Sequence, residues 1–134
     1  MIFVDTSAFL ALLSRNDRHH ARAAVALGEL RMARQALVTH EYVLVETIAL
    51  VQGRLGIEPV RALTDALLPI VDVTWVDPEL HAAARGALIS AGRRTVSLVD
   101  WTSFLVMRRQ GIQQAFTFDA DFATEGFEIL PAPG

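Results

Sequence analysis

Ile2-Phe3-Val4-Asp5-Thr6-Ser7 opens the chain with three apolar residues, an acid and two hydroxyls. The apolar run reads as a short buried strand. Asp5, at its end, has two readings: it N-caps the helical pattern that starts at Thr6, or Thr6 or Ser7 caps and leaves Asp5 free at the mouth of the strand. The same shape recurs near the other end of the chain, where Ala115-Phe116-Thr117-Phe118 closes on Asp119 and continues Ala120-Asp121-Phe122. Between the two, residues 36–39 and 70–76 read as strands, the latter alternating and β-branched. Phe127 to Leu130 reads as a fifth, at an edge because Pro131 and Pro133 follow. Helical patterns fill the gaps. They cover 6–13, about 17–33, the stretch from Thr39 as N-cap to Gln52 before Gly53, about 58–68 stopping near Pro69, 78–90 behind the N-cap Asp77, and from Ser97 to before Gly111.

Strands alternating with helices along the whole chain imply an α/β fold, a mainly parallel sheet with helices on both faces. In such sheets ligands bind beyond the carboxyl ends of the strands, where strand order reverses. Asp5 and Asp119 hold such positions. If their strands are neighbours, both carboxylates face one crevice.

Composition narrows the function. The 134 residues are most simply one domain, 1–134, and 52% of them are hydrophobic, ample for a core. There is no linker, repeat or low-complexity tract, no apolar run long enough to span a membrane, and no leader pattern at Met1-Ile2-Phe3, so a cytoplasmic protein is expected. With no cysteine, thiolate metal sites and cysteine nucleophiles are excluded. All twelve basic residues are arginine, which also excludes a P-loop lysine and Schiff-base chemistry. A net charge of −3 argues against a globally basic nucleic-acid binder. Arginines are unevenly placed, however: Arg15, Arg18 and Arg22 lie early, and Arg93-Arg94 and Arg108-Arg109 flank the helix of Asp100. They read as solvated surface residues or as a positive rim around an acidic pocket.

Two further acids interrupt apolar segments. Glu46 shares a helical face with Tyr42, Val43, Ala49 and Leu50, so it is buried, paired or at a pocket. Asp100 stands third in Ser97-Leu98-Val99-Asp100, the shape of a capping box, yet Phe104 and Met107 on its face point inward. Four acids at such positions in one small domain suggest convergence, and converging carboxylates suit a hard cation such as Mg²⁺ or Mn²⁺. Other motifs fail: Leu44 stands where H-E-x-x-H needs its second histidine, and His19-His20 lacks zinc-pair spacing. Trp75 and Trp101 read as core.

In this order and spacing, Ile2 to Ser7, Val38-Thr39 through Glu46-Thr47, Ser97 to Asp100 and Ala115 to Phe122 resemble the PIN-domain ribonucleases of the VapC toxin type, over nearly the whole chain. The resemblance implies a three-layer PIN-like fold with strand order 3-2-1-4-5, which makes strands one and four neighbours. It implies Asp5, Glu46, Asp100 and Asp119 as the catalytic acids, with Asp5, Asp100 and Asp119 on the metal. Thr6, Ser7, Thr117 and Asp121 would support them, and Arg93, Arg94, Arg108 and Arg109 are candidates for RNA phosphates. The implied activity is Mg²⁺- or Mn²⁺-dependent endoribonuclease, the toxin of a type II pair, hydrolysing phosphodiesters by metal-activated water. A VapB-type antitoxin and a homodimer are the implied partners, with the apolar helices around 42–51 and 60–68 as candidate surfaces. Two alternatives stand beside this: a catalytically silent partner-binding module, and a PIN nuclease for other nucleic-acid processing. A phosphoaspartate enzyme is disfavoured by the missing lysine and by Ser7 where a second aspartate is wanted.

Overall fold

The computed structural model describes residues 1–134. Strands β1 (Ile2–Val4), β2 (Leu37–His40), β3 (Val71–Thr74), β4 (Gln114–Phe116) and β5 (Glu128–Leu130) form one sheet of order β3-β2-β1-β4-β5. Every pairing is parallel, so the sheet is wholly rather than mainly parallel. β1 lies at the centre and Ile2, Phe3 and Val4 are all buried. Successive side chains point to opposite faces, so burial of all three shows that both faces are covered. The helices are α1 (Thr6–Leu13), α2 (His20–Met32), α3 (Glu41–Leu55), α4 (Ile57–Ala62), α5 (Pro78–Ala91), α6 (Leu98–Gln110) and the short α7 (Asp121–Thr124).

The core is built around Phe3, Phe9, Phe104, Phe116 and Phe122. Phe104 stands edge-on to Trp101 and to Phe122, at centroid separations of 5.4 and 5.0 Å. This cluster clamps α6 and α7 to the sheet; burying one such ring contributes about 2–3 kcal/mol. Trp101 joins the core as expected, but Trp75 does not. It follows the last residue of edge strand β3 and is 74% exposed.

Three element ends differ from the sequence reading, each for a local reason. Thr39 does not cap α3, because it lies inside β2 and its Oγ1 donates to the Val4 carbonyl at 2.8 Å. His40 caps instead, its Nδ1 accepting from Val43 N–H. α3 runs through Gly53 and stops at Gly56, whose φ of +93° is one that side chains resist. The segment expected as one helix over 58–68 is α4, which widens into a π turn at Leu63–Leu67 and tightens into a 3-10 turn at Leu68–Ile70 before β3. No helix is long and apolar enough to cross a membrane.

Candidate active site

β1 and β4 are adjacent, with Val4 opposite Phe116, and the pairing continues one residue further where Asp5 N–H donates to the Phe116 carbonyl. The two strands therefore deliver Asp5 and the Thr117–Asp119 turn to the same edge. Asp5 is both the N-cap of α1 and a lining residue of the pocket at this edge. Its Oδ2 accepts from Ser7 N–H at 3.4 Å, Ser7 Oγ at 2.9 Å and Thr117 Oγ1 at 3.0 Å. Oδ1 accepts nothing from the protein. The two hydroxyls that hold Asp5 also hold the opposite loop: Phe118 N–H donates to Ser7 Oγ and Asp119 N–H to Thr117 Oγ1. One small network thus fixes the first and last acids together. Asp119 Oδ1 in turn accepts from Asp121 N–H at 2.9 Å.

α6 brings the third acid. Ser97 and Asp100 form the full capping box, each side chain accepting from the other's backbone N–H. Capping and placement are compatible, because a residue in the first turn of a helix also lies at its exposed end. α3 contributes Glu46, which makes no hydrogen bond to the protein. One open pocket is lined by Asp5, Thr6, Ser7, Leu10, Glu46, Leu50, Ser97, Asp100 and Asp119. All four acids singled out in the sequence are on its wall, with Thr6 and Ser7. Leu50 is there because it lies one turn beyond Glu46 on the same face of α3. Thr117 is buried in the floor network.

The electrostatics are those of a strained anionic cluster. Burial pushes the Asp5 carboxyl up to about 6; its bond from Ser7 pulls it back down, while the Asp100 charge adds to the rise. Asp100 is also raised, by burial first and then by Asp119 and Glu46, against the bond from Ser97. Asp119 is raised by burial and by Asp121, while the bond from Asp121 N–H and the charge of Arg93 lower it. Asp100 is therefore the hub, feeling the other three acids. A divalent cation relieves this repulsion. Carboxylate oxygens of Asp100, Asp119 and Asp121 lie within 4.8 Å of one another, close enough to share an ion. The donor set fits a hard cation: every candidate ligand is oxygen, Asp5 Oδ1 is free, and Thr6 Oγ1 is a buried hydroxyl with no partner. Asp121 belongs to this trio but does not line the pocket, and its Oδ1 is also held by Arg93.

Two of the four arginines proposed from sequence, Arg93 and Arg108, have other engagements. Arg93 Nη2 lies 3.0 Å from Asp121 Oδ1, beside the cluster. Arg108 pairs with Glu125 at 2.9 Å and packs over Phe127. Arg108 and Arg109 sit in the last turn of α6, about 12 Å along the helix from Asp100 at 1.5 Å per residue. Arg94 is exposed. His40 and Glu41, which the sequence raised only as a failed zinc motif, are structural. Buried His40 Nε2 meets Ser103 Oγ at 2.9 Å, and the Glu41 carboxylate accepts Val76 N–H with both oxygens.

A PIN domain family model matches residues 2–127. The chain belongs to the PIN domain family. It is 40% identical over 133 residues to the 23S rRNA-specific endonuclease VapC20 of Mycobacterium tuberculosis, covering 98% of this chain and 99% of that one; the proteins of strains CDC 1551 / Oshkosh and H37Rv match equally. The crystal structure of M. tuberculosis VapC20, described as a Sarcin-Ricin loop cleaving toxin, superposes with a TM-score of 0.82 at 37% identity, over 95% of this chain and 96% of that one. FitAcB from Neisseria gonorrhoeae shares the fold, with a TM-score of 0.70 at 16% identity over 96% of each chain.

Proposed function

We propose that this chain is a metal-dependent endoribonuclease of the VapC toxin type that hydrolyses a phosphodiester of large-subunit ribosomal RNA. The observation that carries the reading is the convergence of Asp5, Glu46, Asp100 and Asp119 from four separate elements on one open, oxygen-lined pocket. The ribosomal substrate rests on the likeness to VapC20 along the full chain.

Asp100, Asp119 and Asp121, with the free Oδ1 of Asp5, are the oxygens that would hold Mg²⁺ or Mn²⁺. When bound, such an ion neutralises the phosphate and lowers the pKa of a water. The protein's own part is positional. Ser7 and Thr117 fix Asp5 against rotation and tie it to the Asp119 loop. Ser97 fixes Asp100. Glu46, free of protein partners, is the carboxylate available to orient the attacking water and take its proton. The bond from phosphorus to the 3′ oxygen breaks as the water oxygen bonds to phosphorus, and the departing oxygen takes a proton from solvent, so the products carry a 5′-phosphate and a 3′-hydroxyl.

The same reading gives the chain a VapB-type antitoxin, a homodimeric state and a cytoplasmic location. Val45 and Ile57, exposed apolar side chains on α3 and α4, support a protein-contact surface there. The activity is tested by incubating purified chain with ribosomes and with total RNA plus Mg²⁺ or Mn²⁺, beside EDTA and the Asp5→Asn variant. One discrete cut in large-subunit RNA, absent from both controls, is the expected result. No cleavage of either substrate together with no metal binding would leave the partner-binding module as the better account, whereas metal binding without cleavage would point to a narrower RNA target.

A further inference from the structure

The pocket that must receive a phosphodiester is itself anionic, so flanking phosphates need cations close by. Of the arginine pairs nearest the acids in sequence, Arg93 and Arg108 each hold a carboxylate at 3.0 Å or less, which leaves only Arg94 and Arg109 uncommitted. A different group supplies others. His19 lies flat on Phe118, with centroids 4.3 Å apart and planes within 5°. Arg18 Nε donates to His19 Nε2, which leaves its two terminal nitrogens unspent. The Arg22 guanidinium sits 5.8 Å from the centre of the same Phe118 ring. It donates to the Ala132 carbonyl but meets no carboxylate. The acid in the turn, Asp17, accepts from His19 N–H and pairs with neither arginine.

What places this group is Phe118. It stands between Thr117, which holds Asp5, and Asp119, and its own N–H donates to Ser7 Oγ. The anchor of the cationic group is therefore one residue, about 3.8 Å of backbone, from a site acid. Arg18, His19, Arg22, Thr117, Phe118 and Ala120 line one depression on this side.

Resting on the nuclease reading above, we propose that Arg18, His19 and Arg22, gathered on Phe118, form a subsite for the phosphates of the RNA strand that flank the scissile one. Planar guanidinium groups match phosphate oxygens in pairs. The stack of His19 on Phe118 ties the turn that carries them to the Thr117–Asp119 segment. The acids cut; this patch sets where the strand lies.

The test is fluorescence anisotropy with a labelled RNA hairpin and the full chain in EDTA, over a range of salt. Arg18→Glu with Arg22→Glu weakens binding about tenfold or more near 0.1 M salt. It also flattens the log–log salt slope by about 1.4, at roughly 0.7 per single-strand phosphate contact. Arg18→Gln alone, at an exposed position, flattens it by about 0.7, which keeps the test intact should the double variant fold poorly. Unchanged affinity and slope in a folded variant overturn the subsite, as does a loss confined to Arg93→Glu with Arg94→Glu. A wild-type chain that binds no RNA in EDTA overturns this proposal, and one that also cleaves none once Mg²⁺ or Mn²⁺ is added overturns the nuclease reading with it. Arginine-dependent binding in EDTA, followed by no cleavage of ribosomes or total RNA once Mg²⁺ or Mn²⁺ is added, overturns the nuclease reading alone.

Discussion

Replacing Asp5 with asparagine should stabilise the metal-free protein at neutral pH while abolishing its activity. Asp5 is 3% exposed, and its carboxyl is raised from 3.8 to about 6, by burial first and further by the Asp100 charge. The sign follows from proton counting. Between pH 4 and 6 the folded state binds the Asp5 proton and the unfolded state has released it, so stability falls as pH rises through that window. At 1.36 kcal/mol per pH unit, the full cost at pH 7.5 is about 3 kcal/mol. Asparagine carries no charge, and its carbonyl can accept the bonds from Ser7 and Thr117. Urea denaturation in EDTA at pH 5 and pH 8 is the assay. We expect Asp5→Asn to exceed wild type by up to about 3 kcal/mol at pH 8, with the gap closing toward pH 4. Mn²⁺ at about 1,000 times its Kd should reverse the order, since it adds about 4.1 kcal/mol to whichever chain binds it. A variant less stable than wild type at pH 8 without metal, or a gap independent of pH, would refute the argument that Asp5 is a buried charge held for a cation.

Other expectations follow from the same network. Thr117→Val removes the hydroxyl joining Asp5 to Asp119 N–H, and should lower cleavage by about tenfold or more while leaving the far-ultraviolet circular dichroism unchanged. His40 is held neutral by burial, its ring lowered from 6.5 to about 4. Its folded-state value lies below the unfolded one, so in excess Mg²⁺ stability should rise by up to about 3 kcal/mol as pH increases from 4 to 6.5; a phenylalanine variant should lose that rise in urea melts. Trp75→Ser, at an exposed site, should shift stability by no more than about 0.5 kcal/mol, whereas Phe104→Ala should cost about 3–5 kcal/mol.

The convergence of the four acids was legible because three of them sit at element boundaries and the fourth interrupts an apolar helix. Asp5 and Asp119 follow strands, Asp100 follows a cap, and Glu46 breaks an apolar helix face; periodicity marks all four. Adjacency of β1 and β4 was different. No local pattern encodes it, and it came from family resemblance alone. What stayed hidden was mostly long-range. Arg93 meets Asp121 across 28 residues, and Phe118 collects His19 and Arg22 from the far side of the chain. Nothing near those residues in sequence announces either contact. Trp75 misled because alternation in residues 70–76 continues past the true end of β3 at an exposed edge. At the end of α3, Gly53 and Gly56 look alike until one of them must take a positive φ.

The most direct test of the central claim is single-turnover cleavage of ribosomal RNA by wild type and by four folded amide variants, Asp5→Asn, Glu46→Gln, Asp100→Asn and Asp119→Asn, with Mg²⁺ or Mn²⁺ present. The account predicts that each loses about 100-fold or more in rate while retaining RNA binding, because the four carboxylates act as one site. Cleavage at the wild-type rate by any of the four variants would contradict it.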